Sequence, residues 1–314
     1  MNEEIWDWTK LDKYACEIRG HWSMERHLTS KEPSEALAFG IGFHKAREVW
    51  IQKRRVGWSD AMAIDEAKKA FLEVWEKELP FELREALEIN NDRRSYGNFC
   101  RIFDAYVKKF PLAMFDKILA VEMPFTLYLG KTPKGREISW SGILDLAVEW
   151  QGGLFYDDLK TSSFAIDEKF FNQFRNSGQL IGYAWAGREL GIGNFSGVMI
   201  HGVEVKVPQE GMKLKKDGTP YARQGRQIED MMGVDIINIS DDMIEKWKKS
   251  TLKKIDQVME AREEKSWTRN DGELCNSYNR DCPFKFLCTS PEDLIESRVQ
   301  EFYKTREWNP LERM

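Results

Sequence analysis

Two aspartates and a lysine stand together in the stretch FYDDLKTSS, Phe155 to Ser163. Asp158 and Lys160 are two residues apart, so on a strand they share a face. Asp145 lies in the preceding apolar run SGILDLAV, separated from them by QGG at 151–153. If QGG closes a hairpin, cross-strand neighbours come within roughly 5 Å, and two carboxylates and an amine converge. Carboxylate oxygens in that arrangement suit Mg²⁺ or Mn²⁺. Such an ion lowers the pKa of a bound water and steadies charge on a phosphate; a lysine beside it can orient the water or offset developing negative charge. A D-x-K triplet alone is a weak signal, because most are solvated charges. The flanks here are otherwise apolar, and acids there are costly to bury without a partner or a metal. Asp157 alternates to the opposite face and reads as the solvated member of the pair.

The elements that must position these residues can be read from pattern. Helices are expected over 9–28 (Thr9 as N-cap), 34–55, 58–79 (Ser59 or Asp60 as N-cap) and 95–119, with Pro111 breaking the last. Strands are expected over 123–130, 136–150, 154–162 and 195–207, with turn chemistry at 130–135 and 151–153. A helix over about 167–190 links the third strand to the fourth, and another runs over 240–265. The order β-turn-β-turn-β-α-β is that of a mixed α/β sheet with a crossover helix. The tripeptide GKT at 130–132 is not a phosphate-binding loop: the position needing glycine is Phe125, and a turn and strand follow.

Composition limits the possibilities. The 314 residues are 42% hydrophobic and 32% charged, with a formal net charge of −5. This is the make-up of a folded protein with a sizeable core. It excludes binding nucleic acid by bulk positive charge, so such binding would rest on local patches and metal ions. The N-terminal MNEEIWDWTK is acidic and lacks the apolar run of a signal peptide. No stretch is apolar enough to span a bilayer. A cytoplasmic protein with no membrane partner is therefore expected, and its five cysteines are not expected to form a disulfide framework.

Gly142-x-x-Asp145, Asp158-x-Lys160-Thr161 and Gln179-x-x-x-Tyr183 together resemble the PD-(D/E)XK nucleases of the RecB-like branch. The upstream GIGFH, Gly40 to His44, resembles the helical G-x-x-x-H pattern of that group. The resemblance implies a restriction-endonuclease-like α/β core with a mixed sheet, and a cation-dependent nuclease. His44, Asp145, Asp158 and the carbonyl of Leu159 would be the metal ligands. Asp145, Asp158 and Lys160 would be catalytic. Gln179 and Tyr183, at i and i+4 on one helix face, would contact the nucleic-acid backbone. Glu122, in AVEMPF, resembles an acid found before the first core strand; a solvated strand-end carboxylate is an equally good reading.

Cys275, Cys282 and Cys288 are spaced C-x6-C-x5-C, which is wrong for zinc fingers and ribbons. An all-cysteine iron–sulfur site needs a fourth thiolate, and Cys16, near the other end of the chain, is the candidate. One N-terminal and three C-terminal cysteines bracketing the core resemble the iron–sulfur subset of RecB-like nucleases, which includes the AddB nuclease domain and CRISPR-associated exonucleases. A structural 4Fe-4S cluster is implied. Cys100 has no partner in this scheme and reads as a core thiol.

The expected organisation is one compact unit: a helical flank at 1–120 carrying Cys16 and His44, the nuclease core at 121–208, and a basic loop, helix and cysteine-rich tail at 209–314. Residues 206–226 hold six basic and two acidic residues, and 246–254 hold five lysines and no acid. With Tyr221 and Trp247 interleaved, they could track a phosphate backbone and stack on bases; a solvated loop and helix face is the alternative. The resulting expectation is a Mg²⁺- or Mn²⁺-dependent deoxyribonuclease, an exonuclease on single-stranded or end-bearing DNA. It would serve repair, recombination, phage DNA processing or CRISPR spacer acquisition, alongside a helicase or integrase-type protein. The alternatives are a catalytically silent DNA-end-binding or assembly subunit, and an RNA-processing nuclease.

Overall fold

Ser34, Ser59 and Ser95 each stand one residue ahead of a helix. Their hydroxyls accept from the N–H groups of Leu37, Met62 and Asn98 at 3.3, 3.3 and 3.1 Å, satisfying donors that the first helical turn leaves open. The helices so capped are α1 (Glu35–Arg55), α2 (Asp60–Glu78) and, after the short α3 (Phe81–Ile89), α4 (Tyr96–Lys109). α4 ends just before Pro111, as a residue without an N–H requires. The computed structural model describes residues 4–208, 215–219, 226–270, 272–277 and 280–311. The chain forms two units: a larger one from 34–123 and 144–240, and a smaller one from 1–33, 124–143 and 241–313.

In the larger unit the strands follow the expected order. β1 (Lys117–Lys131) and β2 (Glu137–Trp150) each have residues in both units; β3 is Gly153–Ser162. α5 (Glu168–Asn172) and α6 (Gly178–Glu189) follow, then β4 (Phe195–Glu204) and β5 (Met232–Asn238). β2 and β3 pair antiparallel, from Leu146 with Asp157 to Trp150 with Gly153. β3 and β4 pair parallel, and β4 and β5 antiparallel. This is a mixed sheet whose parallel step is spanned by α5 and α6. The single helix expected over 167–190 is two, because Phe174, Arg175 and Ser177 donate to carbonyls three residues back and tighten the chain into turns between them.

The larger core is mostly aromatic. Phe39 and Phe43 of α1 meet Phe71, Trp75, Phe99, Phe103 and Tyr106 of α2 and α4, mainly edge-on. Leu146, Val148, Leu159, Met199 and Val203 of the sheet belong to the same core. Burying each such side chain contributes about 1.5–3 kcal/mol. Gly42 is required by this packing: a Cβ there would fall 2.8 Å from the Phe71 ring.

The smaller unit departs further from expectation. The helix expected over 9–28 is broken into Trp8–Lys13, Glu17–Gly20 and a wider turn at His21–Glu25, followed by a strand, Leu28–Ser30. Asp7, not Thr9, is the first cap, accepting from the Lys10 N–H at 2.6 Å. The short strand pairs antiparallel with Tyr303–Thr305, over a core of Trp22, Leu28, Phe284, Leu287 and Tyr303. The helix expected at 240–265 spans Asp241–Glu264. Trp247 is buried there against Trp140, their ring centroids 5.3 Å apart. The expectation that it stacks on bases is thus corrected: its apolar body is part of the unit's interior. Among the described residues no helix is long and apolar enough to cross a membrane.

Candidate active site

The site forms where the β2–β3 ladder stops. Leu146 and Asp157 are its last paired residues, and Asp145 and Asp158 lie one residue beyond them. Released from that pairing, the Asp145 N–H donates to the Tyr156 hydroxyl at 3.5 Å. α1 supplies His44, whose Nδ1 lies 3.1 Å from Asp145 Oδ2. α1 can lie close to β3 because Gly40 has no side chain: a Cβ there would be 3.3 Å from Thr161 Oγ1. On β3, Lys160 Nζ lies 2.9 Å from Asp158 Oδ2 and donates to Gln179 Oε1 of α6 at 3.2 Å. Gln179 Nε2 donates to the Tyr183 hydroxyl at 3.4 Å, and the Tyr183 ring packs on Tyr156, centroids 4.8 Å apart. His44, Asp145, Tyr156, Tyr183, Gln179, Lys160 and Asp158 thus form one continuous perimeter within the larger unit.

Its electrostatics are uneven. Asp158 is 2% exposed and Asp145 8%. Burial pushes the Asp158 carboxyl above its ordinary range; Lys160 opposes the rise and neighbouring Asp145 adds to it. Among the described residues no set of three or more His, Cys, Asp or Glu side chains stands ready-made to hold an ion. Each acid is instead matched to its own cationic or imidazole neighbour. Two buried carboxylates are nevertheless the donor type that Mg²⁺ and Mn²⁺ prefer, with the imidazole a further ligand of a kind more usual for softer divalent metals, and the raised Asp158 is an acid that a divalent charge would relieve. The residues fit the ion.

The other sequence-picked residues fall as follows. Leu159 buries its side chain in the core between Asp158 and Lys160. Glu122 is partly buried inside β1 rather than ahead of it, at φ 48°. Asp157 is fully buried, so its reading as a solvated residue is corrected. Its Oδ1 receives Arg47 Nη2 of α1, and its Oδ2 lies 2.9 Å from His201 Nε2 of β4. Sequence reading missed Arg47 and His201. The available signal was Asp157 itself, an acid on the inward side of an apolar strand, which demands a cation from elsewhere.

The four cysteines of the proposed cluster lie in the smaller unit. Cys16 Sγ accepts from the Asn270 N–H at 3.5 Å, and Cys275 Sγ lies 3.6 Å from the carbonyl of the same residue. The Cys282 N–H donates to the Cys275 carbonyl at 2.9 Å. Burial pushes the Cys288 thiol up; Arg269 opposes this, while Cys282 and Cys16 add to it. All four are free thiols. Cys100 packs at the edge of the larger core, as expected. Tyr221 lies outside the described residues.

The model of the PD-(D/E)XK nuclease superfamily matches residues 10–289. The chain belongs to that superfamily. The match spans both units and every residue of the perimeter, and supports a nuclease. No curated protein matches the chain. Among solved structures it is similar to a Eubacterium rectale protein described as a "Putative exonuclease", with 16% identity, a TM-score of 0.43, and coverage of 93% of this chain and 91% of that one. So distant a likeness bears on neither substrate nor chemistry.

Proposed function

We propose that this PD-(D/E)XK nuclease is a Mg²⁺- or Mn²⁺-dependent deoxyribonuclease of the RecB-like branch, acting as an exonuclease on single-stranded or end-bearing DNA. The observation that carries the reading is the meeting of His44, Asp145, Asp158 and Lys160 where the β2–β3 ladder ends. Asp145, Asp158 and His44, with the Leu159 carbonyl, would hold the ion, which when bound supplies a water of lowered pKa and charge to set against the phosphate. Lys160 sets its amine beside Asp158, where an attacking water and the phosphate oxygens would lie. Gln179 holds Lys160 from the far side and, with Tyr183, offers polar groups to the DNA backbone. Glu122 is a weaker candidate for the same site.

Cys16, Cys275, Cys282 and Cys288 would hold a 4Fe-4S cluster, their thiolate donors being the right type for it. The contacts of Cys16 and Cys275 with Asn270, and the influence of Cys282 and Cys16 on Cys288, support that assignment. Its role would be to fasten the ends of the chain. Anaerobically prepared protein should then be brown and hold stoichiometric iron; colourless protein loaded with zinc would sink the cluster.

The deciding assay is digestion of 5′- and 3′-labelled single- and double-stranded DNA with Mg²⁺, Mn²⁺ or EDTA, and RNA in parallel. Progressive loss from ends of DNA, stopped by EDTA, is expected. RNA cut in preference to DNA would make it an RNA-processing enzyme. Binding of DNA ends without cleavage under any cation would make it a silent end-binding subunit, and a helicase or integrase-type partner would then be sought by co-purification.

A further inference from the structure

Beside the site, on the opposite side of β3, four polar side chains close on one another inside the larger core. Asp157 receives Arg47 of α1 on Oδ1 and His201 of β4 on Oδ2, the latter at 2.9 Å. His201 Nδ1 lies 3.3 Å from the Tyr106 hydroxyl of α4, and Arg47 acts on that hydroxyl in turn. Exposures are 4% for Arg47, 1% for Tyr106, 0% for Asp157 and 1% for His201. Phe110 closes over the imidazole at 4.6 Å.

A ring of this kind is not needed for stability. Replacing a buried charged group by apolar side chains of similar size is often neutral or better. What the ring has is direction, since ion pairs and hydrogen bonds fix orientation where apolar contacts do not. Two of its members sit directly behind the site. Arg47 is three residues after His44, hence on the same side of α1, and Asp157 is the residue before Asp158. The ring ties the helix that carries the imidazole to the strand that carries the acid, and braces both through α4 and β4.

We infer that Arg47, Tyr106, Asp157 and His201 are positioning residues, a buried polar ring that sets the placement of His44 relative to Asp158 and so the spacing of the metal-binding groups. The inference rests on the nuclease reading of that site. A misplacement of about 1 Å in such a site is enough for roughly 100-fold in rate, a tolerance that apolar packing alone does not guarantee.

The test is the combined variant Arg47→Met, Tyr106→Phe, Asp157→Val and His201→Leu, which removes the ring without leaving a buried charge. It is compared with wild type and with Asp158→Ala in the full chain. The variant should melt within a few degrees of wild type. Its kcat on labelled single-stranded DNA at saturating Mn²⁺ should fall about 10–100-fold with KM unchanged. Calorimetric titration should show Mn²⁺ bound at least about fivefold more weakly. A folded variant with wild-type kcat and Mn²⁺ affinity, beside an inactive Asp158→Ala, would overturn the ring's role and leave the site intact. An Asp158→Ala protein that still cuts would instead overturn the site. Should the combined variant not fold, Tyr106→Phe removes a single hydroxyl: a severalfold fall in kcat and Mn²⁺ affinity supports the inference, and unchanged values for both refute it.

Discussion

Asp157 and Asp158 are neighbours in the chain and equally hidden from water, yet the regions around them do opposite things. Burial works to raise the Asp157 carboxyl, but Arg47 and then His201 outweigh it and hold it below its ordinary value. For Asp158 burial prevails: Lys160 only partly offsets it, and Asp145 adds a second negative charge. On one side of β3 the buried acid is outweighed by its cationic and imidazole neighbours. The other keeps an acid, Asp158, whose compensation is incomplete, beside a lysine and a glutamine. A carboxylate of the first kind fixes structure; one of the second kind has affinity to spare for a ligand. Burial and residue type are the same in both, so the number and sign of the neighbours assign the role.

The contrast can be broken most sharply at Asp158. Asp158→Ala should lower cation-dependent cleavage of labelled DNA by about 10³-fold or more while leaving the melting temperature unchanged or higher, since it removes the poorly compensated acid. A large loss of stability would mean that the two sides of β3 do not differ as argued. Asp157→Asn should do the reverse in thermal unfolding. It strips the charge from a buried pair and leaves Arg47 uncompensated, which costs about 3–5 kcal/mol, or roughly 6–20 °C in a unit of this size. An unshifted melting curve would show that the pairing is energetically idle. Lys160→Gln should keep the fold and reduce kcat by about 10²-fold, measured in single-turnover digestion; an effect confined to KM would move Lys160 from chemistry to binding.

The smallest effect is expected in the other unit, and it sharpens the rule. Asp7 is another buried acid, and burial raises it to about 6; the Lys10 N–H and Trp308 only partly oppose this. Its folded pKa exceeds its unfolded one, so the linked stability is fully present below the unfolded value near 3.8 and is lost as pH rises through about 6. Between pH 5 and pH 7 the wild type should lose about 1.4 kcal/mol relative to Asp7→Asn, a few degrees by calorimetry. Parallel pH profiles for the two proteins would remove Asp7 from the comparison.

What was legible in the sequence follows from the range of the interactions. Ser34, Ser59 and Pro111 act on their own turns, and helices α1, α2 and α4 lie close to where those residues put them. The D-x-K triplet, the QGG turn and Gln179 with Tyr183 also act over a few residues, and the structure brings them together with His44. Asp157 was misread because alternation gives the face of a strand but not what covers it. Its partners Arg47 and His201 are distant in the chain. The break after Lys13 was illegible for a related reason: Asp7 caps ahead of Thr9, and Cys16 begins a second short helix after a turn. The lysines around Trp247 in the sequence suggest a surface stretch and give no sign that Trp140 packs against its ring.

The wide dispersal of the ring along the chain also bears on biosynthesis. Arg47 leaves the ribosome long before His201; at about 5–20 residues per second the interval is on the order of 10–30 s. On the proposed reading, the imidazole and the acids of the site have no common frame throughout it, and a half-made enzyme would be harmless to the nucleic acid around it. Ribosome-bound fragments ending before β4 should accordingly show no nuclease activity, and activity in such a fragment would sink this view of delayed assembly.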